Sequence, residues 1–329
     1  MKKHNRKKIM ILWSIFLFCL TALTGCQKNA AQENKNIRIF FSLNSMDTFR
    51  QTLVNGAKEK AEQEGIQLVV EDAQGSIETQ VEQLKRAAKE HYDVIICSAV
   101  SVDTTIQLKM SAGDIPIVFV NSRPDEKYLE AGKYVYVGSD DQTAGAFQAE
   151  YVLEKLANQQ EINVVILKGP KNHSATKGRT NGVKQALNAS QKQIHYVFED
   201  HAEWDTELAK QLFELFLQTE RPVDCVICNN DSMALGVVEI CKEIGLDSNT
   251  LPILGVDATA DGCAAIQSGD MAFTVYQSGI GQGNAAVDMA IHLAGGGNKN
   301  KIEGLTEDGK YVWIDFERVD KNNVSKYAK

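Results

Sequence analysis

Short apolar runs punctuate the chain, and amphipathic stretches fill the gaps between them. Ile37-Arg38-Ile39-Phe40-Phe41, Val69-Val70-Glu71-Asp72, Asp93-Val94-Ile95-Ile96-Cys97, Ile115-Pro116-Ile117-Val118 and Tyr134-Val135-Tyr136-Val137 are rich in Val, Ile and Phe. Most lack the alternation of a half-exposed strand, which suits strands buried on both faces of a parallel sheet. Residues 48–64 place apolar side chains at 49, 53, 54, 57 and 61, a helical spacing, and Gly65 ends the helix. Residues 77–90 repeat the pattern through Ile77, Val81, Leu84 and Ala88. Residues 206–217 and 232–244 do the same further on, with Gly245 closing the latter. Strand–helix alternation means βαβ units with right-handed crossovers.

The five runs recur in order. Their partners are Ile162-Asn163-Val164-Val165-Ile166, Val197-Phe198-Glu199-Asp200, Asp224-Cys225-Val226-Ile227-Cys228, Leu251-Pro252-Ile253-Leu254 and Ala272-Phe273-Thr274-Val275. The offset grows smoothly from 125 (37 to 162) to 138 (134 to 272). A duplication with small insertions drifts in this way, whereas chance matches scatter. The fold class that follows is α/β, with two similar doubly wound parallel-sheet lobes. Lys310-Tyr311-Val312-Trp313-Ile314 reads as one more strand outside the simple repeat, after a helix over 284–293. Its return to the other lobe would make the junction a multi-strand hinge. The expected division is 37–140 plus 278–308 for the N-terminal lobe and 141–277 plus 309–329 for the C-terminal lobe. Two lobes leave a cleft, and clefts hold ligands.

The first residues follow other rules. Lys2, Lys3, Arg6, Lys7 and Lys8 precede an apolar stretch, Ile9 to Leu23, which is short for a final membrane span. Residues 1–25 read as a secretory signal. Leu23-Thr24-Gly25-Cys26 resembles a bacterial lipobox, which implies cleavage before Cys26 and acylation of its thiol; the alternative is an uncleaved signal anchor. Residues 26–36 are then the lipidated cysteine and a polar tether, and the protein sits on the extracytoplasmic face, held to the membrane only by lipid. Formal charge is −8; removing five cations and no acid leaves about −13, which argues against nucleic acid as a partner. Cys225-x-x-Cys228 has redox or zinc spacing, but on a strand residues three apart face opposite ways, so Cys97, Cys225 and Cys228 read as buried thiols. Cys241 and Cys263 fall in helical stretches and read the same way.

In doubly wound sheets ligands bind beyond the carboxyl ends of the strands. There the first lobe offers Asp47 and Phe49 after its first strand and Asn121 after its fourth. The second offers His173 and Arg179, Trp204-Asp205, Asn229-Asn230-Asp231, Asp257 and Gln277 after its successive strands. Planar hydrogen-bonding groups with two aromatics suit a sugar ring: Asp, Asn, Gln and Arg pair with neighbouring hydroxyls, and aromatic rings cover C–H faces. Neither a helix-opening phosphate loop nor a clustered set of metal-ligating residues stands out.

Ala202-Glu203-Trp204-Asp205-Thr206, Asn229-Asn230-Asp231-Ser232-Met233-Ala234-Leu235-Gly236 and Gly255-Val256-Asp257 resemble the type I periplasmic sugar-binding proteins, the ribose and glucose/galactose branch. The resemblance runs over about residues 37–325. It implies Asp47, Phe49, Asn121, His173, Arg179, Trp204, Asn230, Asp257 and Gln277 as ligand-binding residues, with Trp204 stacking opposite Phe49. It implies a monomer that captures a monosaccharide by hinge closure and hands it to the permease of an ABC importer, without cofactor, metal or catalysis. An alternative is an extracellular sensor of the same fold that signals to a histidine kinase or chemoreceptor. There are departures. The galactose-binding branch carries an Asp where this chain has Ala175. Gln277 follows the ribose branch, and Asn121-Ser122-Arg123 replaces that branch's Asp-Arg. No acidic calcium loop is visible.

Competing readings exist for single residues. Trp204 and Phe49 could be core, and Arg179 a solvated charge at a helix start. Asp231 reads as the cap of the helix from Ser232, Asp257 could cap the next one, and His173 could be a plain loop residue. Gly279-Ile280-Gly281-Gln282-Gly283 misses a dinucleotide loop by its third glycine and reads as a flexible strand-to-helix hinge.

Overall fold

The computed structural model describes residues 37–247, 249–296 and 302–328. The signal segment, Cys26 and the whole tether lie outside the described residues. The first lobe holds β1 (Arg38–Leu43), α1 (Thr48–Glu64), β2 (Gln67–Asp72), α2 (Ile77–Lys89), β3 (Val94–Cys97), α3 (Thr105–Ala112), β4 (Ile117–Val120) and β5 (Tyr134–Gly138). The second holds α4 (Asp141–Lys155), β6 (Glu161–Lys168), α5 (Ser174–Asn188), β7 (Gln193–His201), α6 (Thr206–Leu217) and β8 (Cys225–Cys228). It continues through α7 (Asp231–Glu243), β9 (Ile253–Leu254), α8 (Ala260–Ser268) and β10 (Phe273–Tyr276). The chain then re-enters the first lobe as α9 (Gly279–Leu293) and β11 (Tyr311–Trp313), and crosses once more for β12 (Glu317–Asp320).

Each lobe is built on one sheet. The orders are β11-β5-β4-β3-β1-β2 and β12-β10-β9-β8-β6-β7. All pairs are parallel except β10 with β12. The apolar runs form the strands because both faces are covered. Ile39 and Phe41 of β1 meet Leu53 and Val54 of α1 on one side, and Phe40 meets Leu84 of α2 on the other. Cys225 and Cys228 likewise enter cores on opposite faces of the second sheet. Both are free thiols, and burial pushes both up, so they are inert apolar fillers.

The tail corrects the expected division. β11 pairs with β5, with Val312 beside Val137, so residues 311–313 belong to the N-terminal lobe and not to the C-terminal one. The chain crosses only at 314–316. It enters the second sheet in the reverse direction, which makes β12 antiparallel. Three segments therefore join the lobes, following β5, β10 and β11. The glycines at 279–283 are not a flexible hinge. Ser278 caps α9, and they form its first turns. A Cβ on Gly279 would lie 2.0 Å from Thr52 Oγ1, and one on Gly283 would lie 2.2 Å from the Leu53 carbonyl. The glycines let α9 press its backbone onto α1.

Candidate ligand cavity between the lobes

Strand ends from both lobes converge on one small cavity, about 30 Å³ in this closed form. Asp47, Phe49, Arg50 and Asn121 line it from the first lobe; His173, Ala175, Arg179, Trp204, Asn230, Asp257 and Gln277 line it from the second. All nine sequence-nominated residues are thus brought together. Contacts across the cleft hold the lobes closed over it. Ser122 Oγ lies 3.4 Å from His173 Nε2, and the Arg123 amide donates to Ser174 Oγ at 2.9 Å.

Most of these side chains also finish local structure. Asp47 caps α1, accepting from the Arg50 amide at 2.7 Å, and forms an ion pair with the Arg50 guanidinium. Phe49 packs against the core of the first lobe while lining the cavity. His173 caps α5, its Nδ1 accepting from the Ala175 amide at 3.2 Å. Burial first, then the Arg50 and Arg179 charges, lowers its pKa to about 3, so the ring is neutral. Asn230, and not Asp231, caps α7: its backbone is extended and its Oδ1 accepts from the Met233 amide at 3.0 Å. Asp231 is already helical and fully buried, where it accepts from Thr274 Oγ1 (2.6 Å) and the Thr259 amide (2.8 Å). Thr259 caps α8, which leaves the Asp257 carboxylate for the cavity.

Arg179 is the centre of the second lobe's wall. It is 3% exposed, so it is no solvated charge. Its Nε donates to Asp141 at 3.1 Å, one Nη to the Asn229 carbonyl at 2.6 Å and the other to Gln277 Oε1 at 2.9 Å. Asp257 Oδ1 lies 3.6 Å away. Every arm of the guanidinium is held, which fixes Gln277 and Asp257 at the wall as well. Burial pushes the Asp257 carboxyl up to about 8 against the opposing pull of Arg179.

Three of the lining residues sit in strained backbone. Asn121 (φ 63°), Trp204 (φ 65°) and Asp257 (φ 116°) all follow strands, and none is glycine. Left-handed conformations cost non-glycine residues of order 1 kcal/mol or more, and they gather where function demands them. The Trp204 ring lies over Gly169, where a Cβ would come within 2.3 Å of it. The ring also meets His173 edge-on at 5.4 Å. Two residues at or beside the cavity were not nominated from sequence: Arg50, which lines it, and Asp141, which holds Arg179 from behind. The available signal for Arg50 was one cation among Phe49, Leu53 and Val54 on an apolar helix face.

Among the described residues no group of His, Cys, Asp and Glu could hold a metal ion, and no helix is long and apolar enough to cross a membrane. The model for the periplasmic binding protein domain matches residues 39–299. The D-galactose/methyl-galactoside binding periplasmic protein of Haemophilus influenzae is 30% identical over 98% of this chain and 100% of its own. A xylitol-binding protein of Mycolicibacterium smegmatis is 29% identical over 92% of this chain and 82% of its own. Among solved structures, an ABC transporter solute binding protein from Bacillus halodurans with bound myo-inositol superposes with a TM-score of 0.78 at 28% identity, covering 90% of this chain and 98% of that one.

Proposed function

The chain belongs to the periplasmic binding protein family, and on that premise we propose that it captures a monosaccharide-sized cyclic polyol between its lobes and delivers it to an ABC importer. The reading rests on the convergence of eleven residues from both lobes on one cavity. Both cations there face a carboxylate, Arg50 against Asp47 and Arg179 against Asp257 and Asp141. A balanced wall suits a neutral ligand with many hydroxyls. Asn121, Asn230, Asp257 and Gln277 offer paired donors and acceptors, and Trp204 and Phe49 offer aromatic surface for C–H faces. The galactoside-binding relative and the inositol-bound structure support the same class. Ala175 removes one carboxylate that the galactose-binding branch uses, so galactose itself would lose a partner here.

A ligand that binds only the folded, closed protein raises its melting temperature. A panel of pentoses, hexoses and cyclitols against residues 27–329 should yield at least one such shift, and a flat panel would remove the reading. The same proposal places the protein outside the cytoplasm, anchored through an acylated Cys26. Mass spectrometry of the membrane-extracted protein should show an N-terminal, acylated Cys26. An intact N-terminus at Met1 would favour an uncleaved signal anchor.

A further inference from the structure

A second chamber, open to solvent, adjoins the first and is larger, about 660 Å³ against 30 Å³. The two share three wall residues: Arg50, His173 and Trp204. The chamber exists because the repeat is broken there. The turn Ala202-Glu203-Trp204 in the second lobe corresponds to Ala73-Gln74-Gly75 in the first. Both have left-handed residues at their second and third positions. Where the second lobe projects an indole, the first projects nothing, and Gly75 lines the chamber. Its remaining walls include Asn44, Ser101, Asn172 and Glu203, side chains that pair with hydroxyls. Arg50 stands at the junction. It is 7% exposed, and its Nε is buried without a hydrogen-bond partner although the same guanidinium holds Asp47. That Nε is sealed from both chambers, so the donors Arg50 offers a ligand are its Nη hydrogens, in a side chain that lines both chambers.

We propose that the cyclic polyol carries an O-glycosyl substituent, and that this second ring lies in the outer chamber while Arg50 donates to oxygens at the junction. The inference rests on the polyol reading above and makes the substrate class a glycoside, not a free monosaccharide. Arg50 then serves as a specificity residue: it separates substituted from unsubstituted ligands.

The test is isothermal titration of residues 27–329 with D-glucose, D-galactose, D-ribose, D-xylose and myo-inositol, each beside its O-methyl and O-glucosyl derivatives. At least one O-glucosyl compound should bind tenfold or more tighter than its parent, with the O-methyl form between. Asn172→Trp fills the outer chamber from an exposed loop position. It should erase that preference while leaving the parent's affinity within about twofold. Arg50→Met should weaken the glucosyl compound roughly tenfold or more, the scale of a lost charged hydrogen bond, and the parent less. Equal affinities for parent and derivative, untouched by Asn172→Trp, would overturn the inference and leave the polyol reading standing. No binding by any compound would remove both.

Discussion

The two lobes share a backbone and differ in what stands at the strand ends. Residue 53 on α1 is Leu; its counterpart on α5 is Arg179. Residue 279, where α9 meets α1, is Gly; its counterpart where α4 meets α5 is Asp141. Thus one lobe packs a leucine beside a glycine, and the other places a buried ion pair in the same frame. Asn121 and Asp257 follow matching strands, both with positive φ. Gly75 and Trp204 occupy the same left-handed turn. The conformations therefore came with the scaffold, before any particular side chain. At one of these positions the second lobe keeps an indole on backbone where the first lobe has glycine. That is a cost the fold has no reason to bear unless the projected groups are used. The first lobe supplies Asp47, Phe49, Arg50 and Asn121; the second supplies seven of the eleven lining residues. Symmetry makes the cleft, and asymmetry gives it chemistry.

The hardest test of that contrast is to give the second lobe the first lobe's residue. Arg179→Leu leaves Asp141 buried without its partner, and removing one member of a buried pair costs about 3–5 kcal/mol. Urea denaturation should show a loss of that size, and Arg179→Leu with Asp141→Gly should recover much of it by restoring the first lobe's pairing. A loss below about 1 kcal/mol for the single variant would mean that Arg179 is not the clamp it resembles.

The same asymmetry should appear in pH dependence. Three carboxyls among the described residues are pushed above the ordinary range: Asp141, Asp231 (to about 7) and Asp257 (to about 8), each chiefly by burial. All three lie in the second lobe. A carboxyl with a raised pKa holds its proton in the native state where the unfolded chain has lost it, so stability falls as pH climbs from about 4 through the folded value. The unliganded protein should therefore have a lower urea midpoint at pH 8.5 than at pH 5, and Asp257→Asn should flatten that slope. A midpoint that rises across this window would contradict the burial argument.

Much of this is legible in the sequence, for a physical reason. Parallel strands buried on both faces write themselves as apolar runs, so β1 to β10 and their repeat could be read directly. Ligands sit past the carboxyl ends of such strands, so naming the strands also named the tips, and the nine nominated residues do meet in one cavity. What failed was local. The sequence reads Asp231 as the cap of α7, but either residue type can cap and only the extended backbone at Asn230 decides it. The lobe of β11 is not legible because Val312 and its neighbours read equally well beside β5 or in the other sheet. Arg50 is not legible because its place at the cavity depends on a partner lobe that the helix pattern does not contain.

A smaller effect tests Trp204 directly. Trp204→Gly gives the second lobe the residue that its turn would take without strain. Relief of the φ 65° conformation and loss of the ring's packing on Gly169 and His173 should nearly cancel in stability. Ligand affinity should fall by roughly 1.5–2 kcal/mol, more than tenfold, as an aromatic face leaves the site. Affinity within twofold of the parent protein would show that the strain at 204 serves packing alone.

The converse exchange, Gly75→Ala, should have the smallest effect and is the most discriminating. Gly75 has φ 73°, and nothing lies within 4 Å of the position a Cβ would take, so crowding plays no part. Only the left-handed backbone resists the methyl, and that costs about 1 kcal/mol. Thermal unfolding should show a fall of a few degrees, on the order expected for that energy in a domain of this size. Ligand affinity should stay unchanged, since a methyl barely enters the outer chamber. The measured loss is then the intrinsic cost of a side chain in this turn, read at a position where a methyl meets no neighbour. Set against Trp204→Gly, it gives the strain that the second lobe retains. If Gly75→Ala cost nothing, the turn would tolerate any residue, and Trp204 would need no functional reason to be there.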